Sequence, residues 1–257
     1  MSALLIETKD CVRFITLNRP DRHNAFDDGL IRDLTEAFSH VDDVRAVVLQ
    51  STGKSFSAGG DLAWMKRMAG NSPEDNLADA KALSDLMETL DTCPRPVIAL
   101  VQGAAYGGGV GLVACCDLVV AAEGAAFCLS EVKLGLIPAA ISPYVVRAMG
   151  GRAARRYCLT AEVFSAATAL DCGLIHEIAP TDRLNEVRDG WLDKLKANSP
   201  KAMGAAKRLI RRVADDPLDE TLRHWTAGQI ADIRASDEGR EGVAAFLEKR
   251  KPSWVEV

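Results

Sequence analysis

The chain has 257 residues, of which 48% are hydrophobic and 26% charged, and its net charge is −5 at pH 7. This length and composition suit a globular enzyme with one large α/β domain and a smaller appendage. An acidic chain lacks the basic face that follows nucleic-acid phosphates, so we expect no nucleic-acid partner. No apolar run reaches 18 residues, so we also expect no membrane span.

The cysteines number seven, an odd count, and no two of them form a C-x-x-C pair. Several lie in apolar runs, where a free cysteine behaves as a small hydrophobic residue. The first ten residues, MSALLIETKD, lack the charged leader and apolar core of a secretory signal. These features predict a cytoplasmic protein without disulfides.

The first predicted elements are two short strands within 3–20, which meet at a turn at Lys9-Asp10. Apolar residues then recur at helical spacing over 27–41, and RAVVLQS at 45–51 is typical of a short buried strand. The segment TGKSFSAGGD, 52–61, is predicted to be a loop that contains glycines.

A second helix is predicted over 73–90, again from the spacing of apolar residues. The continuous apolar run PVIALVQG, 96–103, is typical of a strand covered on both faces. A short helix over 108–116 and a strand over 117–123 follow. Strands that alternate with helices indicate crossover units and a largely parallel sheet, and hence an α/β fold.

Strand signals fade after residue 140, and nearly all of 182–250 has helical patterning. The composition changes near 180–185. We therefore predict a core over 1–184 and a helical C-terminal region over 185–257.

Several familiar motifs fail on inspection. The TGKS of a phosphate-binding loop needs a glycine where Val48 stands, and the glycines near 107 do not fit G-x-G-x-x-G because Leu112 stands at the last position. The four histidines are scattered, and none has metal-ligand spacing with cysteines or acidic residues. We expect neither a metal nor a separate cofactor.

Two small-residue loops, SFSAGGDL at 55–62 and AAYGGGVG at 104–111, each follow a predicted buried strand and lead towards a helix. Helix starts offer free N–H groups and attract negative charge, and ligands collect at the carboxyl ends of parallel strands. Each loop alone is more typical of a tight turn. Together they could hold one carbonyl oxygen between two N–H donors.

Glu131 is the candidate acid. It follows a predicted strand and is embedded among Phe127, Leu129, Val132 and Leu134. A lone glutamate is more often a solvated surface residue. Apolar surroundings, however, would raise its pKa towards the range that a general acid/base needs.

Five segments share one pattern with a known family: LNRPDRHNAF at 17–26, SFSAGGDL at 55–62, the glycine-rich 103–127, SEVKLGLIP at 130–138 and FLEKRKPSW at 246–254. In these segments the chain resembles the crotonase family, the enoyl-CoA hydratases and isomerases. The order and spacing of the segments agree over essentially the whole chain. The resemblance implies an α/β core of repeated ββα units and a helical C-terminal region that builds homotrimers or dimers of trimers.

The resemblance also implies site residues. Ala58 and Gly108 match the two residues whose N–H groups bind the thioester oxygen of an acyl-CoA, and Glu131 matches a catalytic glutamate. Coenzyme A enters as part of the substrate. Further residues match the substrate- and CoA-binding stretches: Asn24, Ala25, Gly59, Gly60, Asp61, Leu62, Gly107, Gly111 and Lys249.

Position 111 departs from the family pattern. Hydratases of this family carry a second glutamate three residues after the middle glycine, and here that residue is Gly111. One interpretation keeps hydration, with Glu131 serving alone and Gly111 leaving room for a bulkier acyl chain. The combination of GGGVG, LSEVKLGLIPAAISPYV and ARRYCLTAE resembles bacterial hydratases of branched, carboxylated enoyl-CoAs. These act on 3-methylglutaconyl-CoA, a thioester of leucine degradation, or on its longer terpenoid homologue.

Two alternatives stay open. A Δ3–Δ2 enoyl-CoA isomerase needs one glutamate and no activated water, and a non-catalytic acyl-CoA- or RNA-binding scaffold could use the same fold. If the acyl chain ends in a carboxylate, Lys66, Arg67 and Arg147 are the candidate partners of that carboxylate, although each is equally consistent with a solvated helix charge.

Overall fold

The structure is a computed structural model, and it describes residues 2–255. Within that range ten strands and ten α-helices alternate along the first half of the chain, and helices dominate the second half. The strands are β1 Leu4–Lys9, β2 Val12–Leu17, β3 Ala46–Ser51, β4 Ser55–Ser57, β5 Val97–Val101, β6 Ala104–Tyr106, β7 Leu118–Ala122, β8 Ala126–Cys128, β9 Phe164–Ser165 and β10 Glu177–Ala179. The helices are α1 Asp28–Ser39, α2 Leu62–Met68, α3 Pro73–Asp91, α4 Gly108–Cys115, α5 Ser142–Thr160, α6 Ala166–Asp171, α7 Leu184–Ala197, α8 Pro200–Asp215, α9 Glu220–Ala235 and α10 Asp237–Leu247.

The main sheet has six strands in the order β1-β2-β3-β5-β7-β10. Its first two strands form an antiparallel hairpin, and every later neighbour is parallel. All five residues of β5 are buried, which is why this strand is apolar throughout rather than alternating. The predicted α/β fold with a largely parallel sheet is confirmed.

A second, smaller sheet has the order β4-β6-β8-β9. Its strands β4, β6 and β8 each follow a strand of the main sheet after a short turn, and they run parallel to one another. The loops that leave these three strands therefore start at one edge. This arrangement brings 58–61, 107–108 and 129–131 together, although they are far apart in the sequence.

The helical C-terminal region packs onto the core through apolar side chains of α7, such as Leu192, and through polar contacts. Lys207 on α8 donates a hydrogen bond of 2.6 Å to the Asp117 carboxylate. The same carboxylate accepts a hydrogen bond of 2.7 Å from the backbone N–H of Val97. Arg45 donates hydrogen bonds to the backbone carbonyls of Lys196, on α7, and of Trp254, near the end of the chain. No helix within residues 2–255 is both long and apolar enough to cross a bilayer.

Most predicted elements are present. The helices predicted over 27–41 and 73–90 appear as α1 and α3, with ends that differ by one or two residues. The three-residue strands of the second sheet were not predicted, and β4 lies inside a segment that was predicted to be a loop. The long helix α5 is interrupted at Gly150, where φ is +75°.

Candidate active site

An apolar cavity of about 280 Å³ lies where the loops after β4, β6 and β8 meet. Its other walls come from α2, α3 and the segment 134–141. Among the described residues that line it, Asp79 and Glu131 carry the ionisable side chains. A concave, mostly apolar pocket with few polar groups is the usual form of a small-molecule site. The larger apolar side chains on its walls are Phe26, Trp64, Met65, Met68, Leu83, Leu134, Leu136, Ile137 and Ile141.

Glu131 is the first residue of a single 3₁₀ turn, Glu131–Leu134, directly after β8. A Cβ atom built on Gly107 would stand 3.1 Å from its Oε1 atom, so the carboxylate lies against that glycine. Its Oε2 atom is covered, and it has no hydrogen-bond partner within residues 2–255. Burial raises the pKa of Glu131, and a hydrogen bond to its own backbone opposes this in part. The shift brings the carboxyl group closer to the range in which a general acid/base works.

The glycines of GGGVG allow a close approach between the start of α4 and its neighbours. A Cβ atom on Gly108 would stand 2.8 Å from the Phe26 ring, and one on Gly109 would stand 2.6 Å from the Ser57 carbonyl oxygen. Gly107 has φ +50°, in the left-handed region. Gly108 is the first residue of α4, and its N–H has no hydrogen-bond acceptor in the part of the chain that the structure describes. It is therefore available to a ligand oxygen in the cavity.

The structure corrects the predicted role of Ala58. Its backbone N–H donates 2.9 Å to the His23 carbonyl, so it is not free to bind a thioester oxygen. Gly60, two residues later, also lines the cavity, and its N–H has no acceptor among residues 2–255. Phe26 fixes the loop here: its N–H donates 2.7 Å to the carbonyl of Gly59, and its carbonyl accepts from Asp61. The second free amide at the cavity therefore belongs to Gly60.

Asn24 is fully buried and holds the backbone, so its predicted contact with CoA is wrong. Its amide donates 2.8 Å to the carbonyls of both Thr52 and Ser55, and its Oδ1 accepts 2.8 Å from the N–H of Arg19. Every hydrogen-bonding site on the amide faces the protein. Ala25 is also buried and does not line the cavity.

Asp61 is a helix cap rather than a wall of the cavity. It precedes α2, and its carboxylate accepts from the N–H groups of Ala63 and Trp64. These hydrogen bonds, together with Arg22, outweigh the effect of burial and lower the pKa of Asp61. Leu62 is 81% exposed and does not line the cavity. Gly59 and Gly60 do line the cavity, so this loop contributes through its backbone.

Gly111 is buried inside α4 and does not line the cavity. The expectation that it leaves room for an acyl chain is wrong, because the Ile141 side chain fills that space. A Cβ atom on Gly111 would stand 2.3 Å from Ile141 Cγ2 and 3.2 Å from Met87 Sδ. Ile141 itself lines the cavity, so it separates position 111 from the site.

The predicted cationic partners of a distal carboxylate lie outside the cavity. Lys66 and Arg67 are exposed on α2, and Arg67 pairs with Asp28 at 2.8 Å. Arg147 on α5 pairs with Asp91 and Asp215. Lys249 follows α10 and is exposed, and it does not line the cavity either. No group of side chains within residues 2–255 has the arrangement of a metal site.

Sequence reasoning missed Asp79 and Ile141. A signal for Asp79 is present: it shares a helical stripe with Leu83, Leu86 and Leu90, at spacings of four, seven and eleven residues. An acidic residue on the apolar face of a helix indicates a carboxylate that faces the core or a cavity rather than solvent. Ile141 gives no comparable signal, because its partner Gly111 is thirty residues away.

Comparisons with known proteins agree with this architecture. A family model described as enoyl-CoA hydratase/isomerase matches residues 7–256. The crystal structure of an enoyl-CoA hydratase from Shewanella pealeana is 48% identical, with a TM-score of 0.95 over 98% of this chain and 96% of that one. Pseudomonas aeruginosa AtuE is 36% identical, with a TM-score of 0.94 over 99% and 100% of the two chains.

Curated relatives extend the agreement. A putative enoyl-CoA hydratase of Thermus thermophilus is 35% identical over 96% of this chain and 98% of its own length. The 2,3-dehydroadipyl-CoA hydratase of Escherichia coli is 32% identical over 99% of both chains. The chain therefore belongs to the enoyl-CoA hydratase/isomerase family, the crotonase family, and has the fold of its members.

Proposed function

We propose that this protein adds water across the 2,3 double bond of an enoyl-CoA thioester, or removes it in the reverse direction. The observation that carries the proposal is the half-buried Glu131, with one unpartnered oxygen, in a cavity that also holds two free backbone amides. Relatives named enoyl-CoA hydratase support the same reaction class.

The two amides belong to Gly60 and Gly108. When the thioester carbonyl lies between them, both N–H groups donate to its oxygen and stabilise the negative charge of an enolate. One such donor typically contributes about 2.7–4 kcal/mol to transition-state stabilisation. Glu131 then transfers a proton to or from the α-carbon. Its raised pKa supports this role, because the protonated form persists to a higher pH than in a solvated glutamate.

The cavity walls favour an uncharged, branched acyl group. A methyl branch fits the apolar surface formed by residues such as Met68 and Leu83. Among the described residues, no lysine, arginine or histidine lines the cavity, so a terminal carboxylate has no cationic partner there. One relative is named 2,3-dehydroadipyl-CoA hydratase, so carboxylated substrates such as 3-methylglutaconyl-CoA are also candidates.

Product analysis in heavy-oxygen water tests the reaction class and the acyl group together. Purified protein is incubated with crotonyl-CoA, 3-methylcrotonyl-CoA and 3-methylglutaconyl-CoA, and mass spectrometry measures label in the product. The last two substrates differ by one carboxylate, so they form a matched pair. We expect label from 3-methylcrotonyl-CoA in excess of the other two. Absence of label from every enoyl-CoA would contradict the proposed hydration.

A Δ3–Δ2 isomerase is the second candidate, and Gly111 favours it, because no carboxylate stands at that position. Conversion of 3-hexenoyl-CoA to its 2-enoyl isomer without heavy oxygen would identify this activity. A non-catalytic scaffold predicts neither reaction, and it also predicts no exchange of the α-protons of a bound acyl-CoA with solvent.

We also propose that the protein forms a homotrimer or a dimer of trimers. An apolar groove of about 570 Å³ lies between α8 and α9, and residues such as Leu209, Ile210, Val213 and Ile230 line it. Ile210 is 67% exposed, as expected of a side chain that a second copy covers. Light scattering on the purified protein measures the mass. We expect three or six times 27.6 kDa for the wild type and a smaller mass for Ile210→Asp.

A further inference from the structure

Asp79 is the one ionisable side chain besides Glu131 among the described residues that line the cavity. Asp79 lies in the first half of α3 and is half-buried. Asn71 donates 3.1 Å from its side-chain amide to Asp79 Oδ2, which orients the carboxylate. The other oxygen, Oδ1, has no hydrogen-bond partner within residues 2–255, so it can accept a proton or a hydrogen bond from a water molecule.

Adding water to a double bond requires two proton transfers. One removes a proton from the attacking water, and the other delivers a proton to the α-carbon. A carboxylate at position 111 cannot help, because Ile141 Cγ2 and Met87 Sδ already occupy the space beside Gly111. A second carboxylate in this site would therefore come from another wall of the cavity.

We infer that Asp79 is a second catalytic carboxylate, which activates the water that adds to the β-carbon. The inference rests on the proposed hydration and assigns its two proton transfers to two different residues. Asp79 comes from α3, whereas Glu131 comes from the turn after β8, so the two groups reach the cavity from separate elements. Asp79 lies near solvent and can receive water, while Glu131 is held in a drier position.

Each carboxyl group handles one proton in this hydration. Asp79 takes a proton from water as the water oxygen bonds to the β-carbon, and the π electrons move into the thioester as an enolate. The amides of Gly60 and Gly108 hold the enolate oxygen. The enolate then takes a proton at the α-carbon from protonated Glu131. Asp79 later returns its proton through solvent to Glu131, so one water is consumed in total and both carboxyl groups are restored.

The test separates hydration from α-proton chemistry. Asp79→Asn keeps the size of the side chain and removes the base. Hydration of the best enoyl-CoA substrate is followed by heavy-oxygen incorporation, and exchange of the α-protons of butyryl-CoA in deuterium oxide is followed by NMR. Asp85→Asn is the matched control: it makes the same change on the same helix, and Asp85 does not line the cavity.

We expect Asp79→Asn to lose about 10²-fold or more in hydration, the usual contribution of a general base, while α-proton exchange continues. Glu131→Gln should lose both activities, and Asp85→Asn should lose neither. Formate added to Asp79→Ala should restore part of the hydration, because a small carboxylate can enter the vacated space. A residue that only supports the fold would not respond to formate.

Two outcomes overturn the inference. Hydration at the wild-type rate in Asp79→Asn removes Asp79 from the mechanism and leaves the proposed hydratase intact. Equal loss of hydration and exchange in Asp79→Asn means that Asp79 maintains the site as a whole. Failure of the wild type to hydrate any enoyl-CoA is a different result, because it contradicts the proposed function itself.

Discussion

The Cγ2 atom of Ile141 lies where a side chain at position 111 would begin, 2.3 Å from a Cβ atom built on Gly111. Ile141 immediately precedes α5, and Gly111 lies inside α4. The Ile141 side chain thus packs against α4 at the start of α5, and it also forms part of the cavity wall. Gly111, where the resemblance predicts a glutamate, is therefore one half of a packing pair.

This pair predicts a destabilised Gly111→Ala variant. Overpacking a buried position typically costs about 1–3 kcal/mol, which exceeds the helix propensity that alanine would gain. Urea unfolding followed by circular dichroism measures the free energy of unfolding. Gly190→Ala is the control, because Gly190 is exposed on α7 and nothing lies within 4 Å of an added Cβ atom. That variant should gain about 0.4–1 kcal/mol.

The interaction between positions 111 and 141 can also be measured. Ile141→Ala removes Cγ2, so Gly111→Ala should lower the free energy of unfolding less in that background than in the wild type. Residues in direct contact commonly show interaction energies of about 0.5–3 kcal/mol in a double-mutant cycle. Additive effects of the two substitutions would contradict the contact.

Glu131→Gln should keep the fold and lose turnover. The Oε2 atom makes no hydrogen bond that the amide would break. Loss of the general acid/base should reduce kcat by at least about 10²-fold. Steady-state kinetics on the best enoyl-CoA substrate checks this, with circular dichroism as the test of folding. Turnover near the wild-type value would exclude Glu131 from the chemistry.

The same substitution should make stability less dependent on pH. Burial raises the pKa of Glu131 above its ordinary value of 4.5, so the folded state holds this proton more tightly than the unfolded state. The stability that this bound proton gives to the folded state is complete below pH 4.5 and is lost as pH rises through the folded-state pKa. A glutamine side chain at this position cannot ionise. Thermal unfolding should therefore show Glu131→Gln more stable than the wild type at pH 8, and the difference should disappear at pH 4.

Lys207→Met should loosen the attachment of α8. Lys207 pairs with Asp117 at 2.6 Å and donates 3.1 Å to the Arg95 carbonyl. Without the lysine, the half-buried Asp117 loses its cationic partner, and a buried group left unsatisfied costs about 1–3 kcal/mol. Chemical denaturation measures the loss. Adding Asp117→Asn to Lys207→Met should recover part of it, and a double variant less stable than Lys207→Met alone would contradict this explanation.

Arg67→Ala tests the predicted recognition of a distal carboxylate. Arg67 is exposed, pairs with Asp28 and does not line the cavity. We therefore expect KM to change by the same small factor for 3-methylglutaconyl-CoA and 3-methylcrotonyl-CoA. Lys66→Ala should behave in the same way. A rise in KM confined to the carboxylated substrate would restore these residues to the site.

The fold could be predicted well from the sequence because its main elements carry strong local patterns. The buried strand β5 is a continuous apolar run, and α1 and α3 show clear helical spacing. The strands β4, β6 and β8 have three residues each, too few for any periodicity. Their pairing is a long-range property of the parallel sheet.

The site was predictable in part. Glu131 and Gly108 lie at the cavity, and the local sequence and the family resemblance both point to them. The assignment of Ala58 failed because its N–H is taken by the His23 carbonyl, from a segment 35 residues earlier. The role of Gly111 depends in the same way on Ile141, which only the folded chain brings near.

Asn24 carries a practical consequence for mutational scanning. Its side chain joins the backbone at Arg19, Thr52 and Ser55, and the last of these begins the strand that leads into the Gly60 loop. An Asn24→Ala variant would therefore register as defective in an activity screen without touching substrate. Such a defect comes from a smaller folded fraction, which circular dichroism would register in the absence of acyl-CoA. A true contact residue would shift the saturation curve with the folded fraction unchanged.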